Sequence, residues 1–147
     1  MSTPASAESD VVSASEAETA ALGAALGARL TGGETVLLRG ELGAGKTAFV
    51  RGLARGLGVD PAEVVSPTFV LLTRYAGRLT LHHADLYRLS GKGDERELGL
   101  EELPGPRGVL AVEWAERLSL PPAPPCIRVT LEHAGGDSRR VRIESGA

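Results

Sequence analysis

The sequence predicts an α/β fold with a mixed parallel and antiparallel sheet flanked by helices. Three observations carry this. Two helix-patterned segments bracket a short β-branched strand, Thr35 to Arg39. The run Val109-Leu110-Ala111-Val112 is apolar without alternation, the mark of a strand buried on both faces. Two pairs of alternating segments, within 70–84 and 127–143, are joined by short Gly-containing turns and read as antiparallel hairpins. With 147 residues, 42% of them hydrophobic, the chain suits a single domain. We place that domain at 13–147.

Residues 1–12 are small, polar and acidic without periodicity, and are expected to form a disordered tail. Ser13-x-x-Glu16 and Ser15-x-x-Glu18 are both candidate capping boxes for a first helix, in which Leu22, Leu26 and Leu30 recur at four-residue spacing. Gly32-Gly33 ends it. The strand from Thr35 runs at once into a Gly-rich turn and a second helix, with Phe49, Val50, Leu53 and Leu57 as its buried face and Gly58 as its stop. Val64-Val65 lead into Ser66-Pro67-Thr68-Phe69. Strands then follow over Val70–Tyr75 and Leu79–Ala84, with a turn at Ala76–Arg78. The polar loop Ser90–Asp94 precedes a short helix, Glu95–Leu103, which Pro104-Gly105-Pro106 breaks. After the buried strand at 109–112, the Pro-rich stretch 121–125 is a stiff connector. Ile127–Leu131 and Arg140–Ile143 complete the sheet around a turn at Ala134–Asp137. The chain has no internal repeat.

Charge and composition exclude several functions. A formal net charge of −3 denies the chain the basic footprint of a stand-alone nucleic-acid binder. A single cysteine, Cys126, can make no intrachain disulfide and has no Cys/His cluster around it for zinc. No apolar run is long enough to span a bilayer, and the start lacks the pattern of a signal peptide, so a cytoplasmic protein without membrane partners is expected. Of the 16 basic residues only two, Lys46 and Lys92, are lysine. Each lysine therefore invites the question of why it is not arginine.

Lys46 answers it. Gly40-Glu41-Leu42-Gly43-Ala44-Gly45-Lys46-Thr47 satisfies G-x-x-x-x-G-K-[ST] between a strand and a helix, the context this phosphate loop requires. The glycines let successive N–H groups face inward around phosphates, and the following helix turns its positive end to the same anion. Lys46 is a compact charge that can bridge β- and γ-phosphates where the arginine fork is too wide. Thr47 offers a hydroxyl to Mg²⁺. The binding segment thus comprises Glu41, Leu42, Gly43, Ala44, Gly45, Lys46, Thr47 and Ala48. A metal carboxylate is expected at the end of a buried strand. Glu113 ends the most buried-looking strand and is favoured; Asp85, after Ala84, is the second candidate and is read as orienting water or coupling to a switch. His82 and His83 fall on opposite faces of a regular strand, so one of them can lie on the Asp85 side. Trp114 can shield the site beside Glu113. The hydroxyls of Ser66-Pro67-Thr68 can sense a γ-phosphate. A GTPase is disfavoured: Gly91 stands where N/T-K-x-D needs its first residue, and none of the five aspartates has Gly three positions later.

Five ordered segments carry a resemblance to a known family: the phosphate loop at 40–47, Ser-Pro-Thr-Phe at 66–69, His-Ala-Asp-Leu-Tyr-Arg-Leu at 83–89, Leu-Gly-Leu-Glu-Glu at 98–102 and Glu-Trp-Ala-Glu at 113–116. The chain resembles the TsaE (YjeE-type) family, the small ATPases of bacterial tRNA threonylcarbamoyladenosine synthesis, over about residues 13–144. The resemblance implies a P-loop ATPase that binds ATP or ADP with Mg²⁺ held at Thr47 and Glu113, and catalytic roles for Lys46, Asp85 and Glu113. It also implies switch-like behaviour of Ser66, Pro67, Thr68, His83, Tyr87 and Arg88, and nucleotide contacts from Ser13, Thr19, Arg139 and Arg140. It further implies an ATPase weak alone that works with a TsaB–TsaD heterodimer in the modification of tRNA A37, reaching tRNA only through that complex. The main departure is Ala48, where a second Thr is common. A small-molecule kinase and a nucleotide-gated interaction module are the alternatives.

Overall fold

Strand β2 (Thr35–Gly40) is the central strand of a seven-stranded sheet and ends where the G-x-x-x-x-G-K-[ST] segment begins. The computed structural model describes residues 8–41, 44–64, 72–87, 98–119, 122 and 124–146. Around β2 the chain forms β1 (Ser9–Ser13), α1 (Glu16–Arg29), α2 (Lys46–Gly56), β3 (Leu72–Tyr75), β4 (Thr80–Asp85), β5 (Gly108–Glu113), β6 (Cys126–His133) and β7 (Arg139–Gly146). The sheet order is β1-β7-β6-β2-β5-β4-β3. Strands β6, β2, β5 and β4 run parallel, while the β3–β4 and β6–β7 hairpins and the β1–β7 pair are antiparallel. The mixed α/β sheet is the one expected.

Both α-helices cover the same sheet face. Leu26, Leu30, Phe49, Leu53 and Leu57 pack there on Val36, Leu38, Leu81, Val109 and Ile127. A smaller core on the other face joins Leu37, Leu86, Leu110, Val112 and Cys126, with Leu72, Leu98, Leu103 and Leu118 against it. β5 lies between the two and is buried along its whole length, which accounts for its unbroken apolar run. The helices approach through glycines: a Cβ on Gly52 would lie 1.7 Å from Ala20 O, and one on Gly23 would lie 2.2 Å from Phe49 O. Of the two candidate capping boxes, Ser15 is the N-cap of α1 and accepts from Glu18 N at 3.1 Å, while Glu18 Oε1 accepts from Ala14 N.

Two elements differ from expectation. Part of the tail expected to be unstructured over 1–12 is a strand: Ser9–Ser13 pairs with β7, whose outer edge would otherwise be open, while residues 1–7 lie outside the described residues. The helix expected at 95–103 is, in its described part, a 3₁₀ turn over Leu100–Glu102; Gly99 enters it at φ +70° and Pro104 follows Leu103. Residues 95–97 lie outside the described residues. Among those described, no helix is long and apolar enough to cross a membrane.

Candidate nucleotide-binding site

The site is assembled at the C-terminal ends of β2, β5 and β4. Gly40 leaves β2 so close to β6 that a Cβ would sit 2.5 Å from Leu131 O. Gly45, at φ +98°, turns the chain into α2 in a left-handed conformation that costs a glycine little. The N-cap of α2 is Gly45, which has no side chain to cap the helix. Lys46 opens the helix and is buried. Its Nζ donates to Gly40 O and, at 2.9 Å, to Glu41 O. Thr47 lies in the first turn of α2. Leu42 and Gly43 lie outside the described residues.

The strand register sets the acids beside the lysine. Leu38 of β2 pairs with Glu113 of β5, which pairs with Asp85 of β4. Glu113 is therefore one strand from the loop-bearing strand and Asp85 two, a difference of about 4.8 Å. Burial lowers the Lys46 pKa, and the charges of Glu113, Glu116, Asp85 and Glu41, in that order, oppose the shift. Burial raises the Asp85 pKa; its Tyr87 N–H bond, at 3.0 Å, opposes the shift, and the Glu113 charge adds to it. Glu113, 3% exposed, accepts from or donates to His83 Nε2 at 2.6 Å through Oε2.

Aromatic rings close the site. Trp114 is the non-glycine residue with positive φ among those described, at +61°, and this turn lays its indole 4.1 Å from Lys46 Nζ. Tyr87 packs against Trp114 with ring centres 5.0 Å apart and planes tilted by 41°, and the Arg117 guanidinium lies 5.9 Å from both rings. Beside them opens a cleft of about 500 Å³ lined by Gly40, Glu41, Trp114, Glu116, Thr130, Leu131 and Glu132.

The remaining expected residues divide. Ser13 and Thr19 share a 2.7 Å hydrogen bond. The Thr19 methyl and Arg139 Cγ lie 3.5 and 3.7 Å from where a Gly45 Cβ would stand, so these two residues lie against the loop. Arg140 does not join them. Strand alternation turns it to the other face of β7, where it grips Asp10 through two hydrogen bonds of 3.0 and 2.8 Å. His83 sits within β4, inside the strand expected over Leu79–Ala84, while His82 faces away and accepts from Arg74 Nε at 3.2 Å. Ser66, Pro67, Thr68 and Arg88 lie outside the described residues. Ala48 is buried in α2.

Residues 13–141 match the family described as Threonylcarbamoyl adenosine biosynthesis protein TsaE. The chain belongs to the TsaE family. It is 41% identical over 132 residues to the tRNA threonylcarbamoyladenosine biosynthesis protein TsaE of Treponema pallidum, covering 90% of this chain and 97% of that protein. The TsaE protein of Aquifex aeolicus is 40% identical over 137 residues, 91% of this chain and 94% of its own. The fold matches the crystal structure of Bacillus subtilis YdiB with a TM-score of 0.71 at 31% identity, over 95% of this chain and 87% of that one. Arg117 and Glu132 lie outside the sequence segments that point to this site, and Glu116, which ends the Glu-Trp-Ala-Glu segment, has no role assigned by it. The fold brings Arg117 against Trp114 and sets Glu116 and Glu132 in the cleft lining, a placement that depends on tertiary contacts.

Proposed function

We propose that this TsaE-family protein is a Mg²⁺-dependent ATP-binding protein and weak ATPase that serves threonylcarbamoyladenosine formation at tRNA A37 by acting on a TsaB–TsaD pair. The observation that carries the reading is the convergence of Lys46 with Glu113 and Asp85 at the ends of three adjacent parallel strands. A helix start entered through a glycine N-cap and a buried lysine are suited to a polyphosphate. The donor set suits Mg²⁺. Glu113 and Asp85 offer carboxylate oxygens side by side, and Mg²⁺ prefers one or two carboxylates completed by phosphates and water. Thr47 and Glu113 would hold it, and when bound it would neutralise charge on the phosphate oxygens.

The chain's own residues have the following tasks. Lys46 exchanges its carbonyl and indole contacts for phosphate oxygens and stabilises charge as the terminal phosphoryl leaves. Asp85, with its proton affinity raised by burial, orients the attacking water beside Glu113. Arg139 and Thr19, against the loop, border the nucleotide. Access to tRNA runs through the partner, which fits an acidic chain of net charge −3.

The test is ATP turnover with Mg²⁺, alone and with TsaB–TsaD. Slow turnover that the pair accelerates is expected, and Lys46→Ala is expected to lower it by about 100-fold or more. Phosphate transferred to an acceptor other than water would replace this reading with a kinase. Glu113→Ala should weaken the Mg²⁺ dependence more than Asp85→Ala; the opposite order would exchange the two roles.

A further inference from the structure

We infer that His83 is a positioning residue that orients the Glu113 carboxylate for the metal. The inference rests on the reading of Glu113 as the metal acid and names what holds that acid in place.

His83 is fully buried and lies two residues before Asp85, on the same face of β4. Because β4 and β5 pair His83 with Ala111 and Asp85 with Glu113, the imidazole reaches one rung forward to the acid. The 2.6 Å contact between Nε2 and Glu113 Oε2 has the shortness of a hydrogen bond to a charged acceptor. The other ring nitrogen, Nδ1, is buried with no hydrogen-bond partner among the described residues. That asymmetry fixes the direction of the bond. A hydrogen on Nδ1 would be a buried donor lacking an acceptor, a costlier defect than an unused lone pair. The ring is therefore the Nε2–H tautomer and donates to Oε2. One carboxylate oxygen is pinned, the rotation of the carboxylate is fixed, and Oε1 is left for the metal or its water. Carboxylates that ligate metals depend on such outer hydrogen bonds.

The test compares ADP affinity in excess Mg²⁺ with ADP affinity in EDTA, on the full chain. The Gln amide reaches the place of Nε2; the Asn amide stops at the place of Nδ1. His83→Asn is expected to lose about tenfold or more of the gain that Mg²⁺ gives, with affinity in EDTA unchanged, and His83→Gln to recover it. Equal weakening of both affinities in His83→Asn, or an undiminished Mg²⁺ gain, would overturn the inference. Glu113→Gln separates the two levels. If it keeps the Mg²⁺ gain, the reading of Glu113 fails; if it loses the gain while His83→Asn keeps it, only the role of His83 fails. Should His83→Asn not fold, ¹⁵N NMR of the unaltered protein decides. A hydrogen on Nε2 and a bare Nδ1 are expected for His83, and a hydrogen on Nδ1 would refute the bond direction.

Discussion

Asp85 and Glu113 occupy equivalent positions on neighbouring strands, yet their surroundings separate them: Glu113 is tied to a buried imidazole, whereas Asp85 bonds a backbone N–H at the start of a turn. Burial and the neighbouring Glu113 charge raise the Asp85 pKa above 3.8. The folded protein therefore holds the Asp85 proton more tightly than the unfolded chain. Its contribution to stability is full below 3.8 and is lost as pH rises through the higher folded value. Asp85→Asn keeps the bond to Tyr87 N and removes the ionised charge. It should raise the thermal midpoint at pH 7, with the gain shrinking as pH falls toward 3.8. At this scale the sequence was informative where chemistry is local. The loop spacing singles out Lys46, and the end of an apolar run singles out Glu113. The His83–Glu113 bond was out of reach because it depends on the register between β4 and β5. The left-handed turn at Trp114 has no sequence signal of its own.

Glycines set the distance between α1 and α2. Gly23 and Gly27 face Phe49 O and Leu53 O, while Gly52 and Gly56 face Ala20 O and Ala24 O, so backbone meets backbone in both directions. Gly52→Ala would press a methyl into Ala20 O and should cost at least the roughly 1–3 kcal/mol typical of overpacking, measured by denaturant unfolding. Arg78 closes the far end of the pair. Its guanidinium donates to Leu30 O and Gly27 O at the end of α1, and to Gly56 O at the end of α2. Arg78→Ala should cost about 2 kcal/mol in the same measurement, because carbonyls at two helix ends lose a charged donor. The leucine spacing and the Gly58 stop made both helices legible. The four-residue glycine spacing in each is a signal for close approach, but only the fold reveals that the two sets face each other. Arg78 read as an ordinary turn residue, since its partners lie 22 to 51 positions away.

For the whole molecule, the expected α/β class with a mixed sheet followed from the apolar run at 109–112 and the two hairpin patterns. The place of β1 did not. Its pairing joins opposite ends of the chain, and Ser9–Ser13 is too polar to announce a strand without β7 beside it. Once there, β1 carries Ser13 to Thr19 and so ties the outer edge of the sheet to the loop region. Removing residues 1–12 should lower the thermal midpoint, whereas Asp10→Ala, which breaks only an exposed ion pair, should leave it nearly unchanged. The contact between Trp114 and Lys46 has a further, optical consequence. Trp114 is the chain's single tryptophan, and its indole stands 4.1 Å from the ammonium of Lys46. An ammonium so near an excited indole quenches it, so the intrinsic emission of this protein reads out where Lys46 points. Under the proposed function, MgADP added to the unlabelled protein should change that emission, and Lys46→Ala should abolish the response.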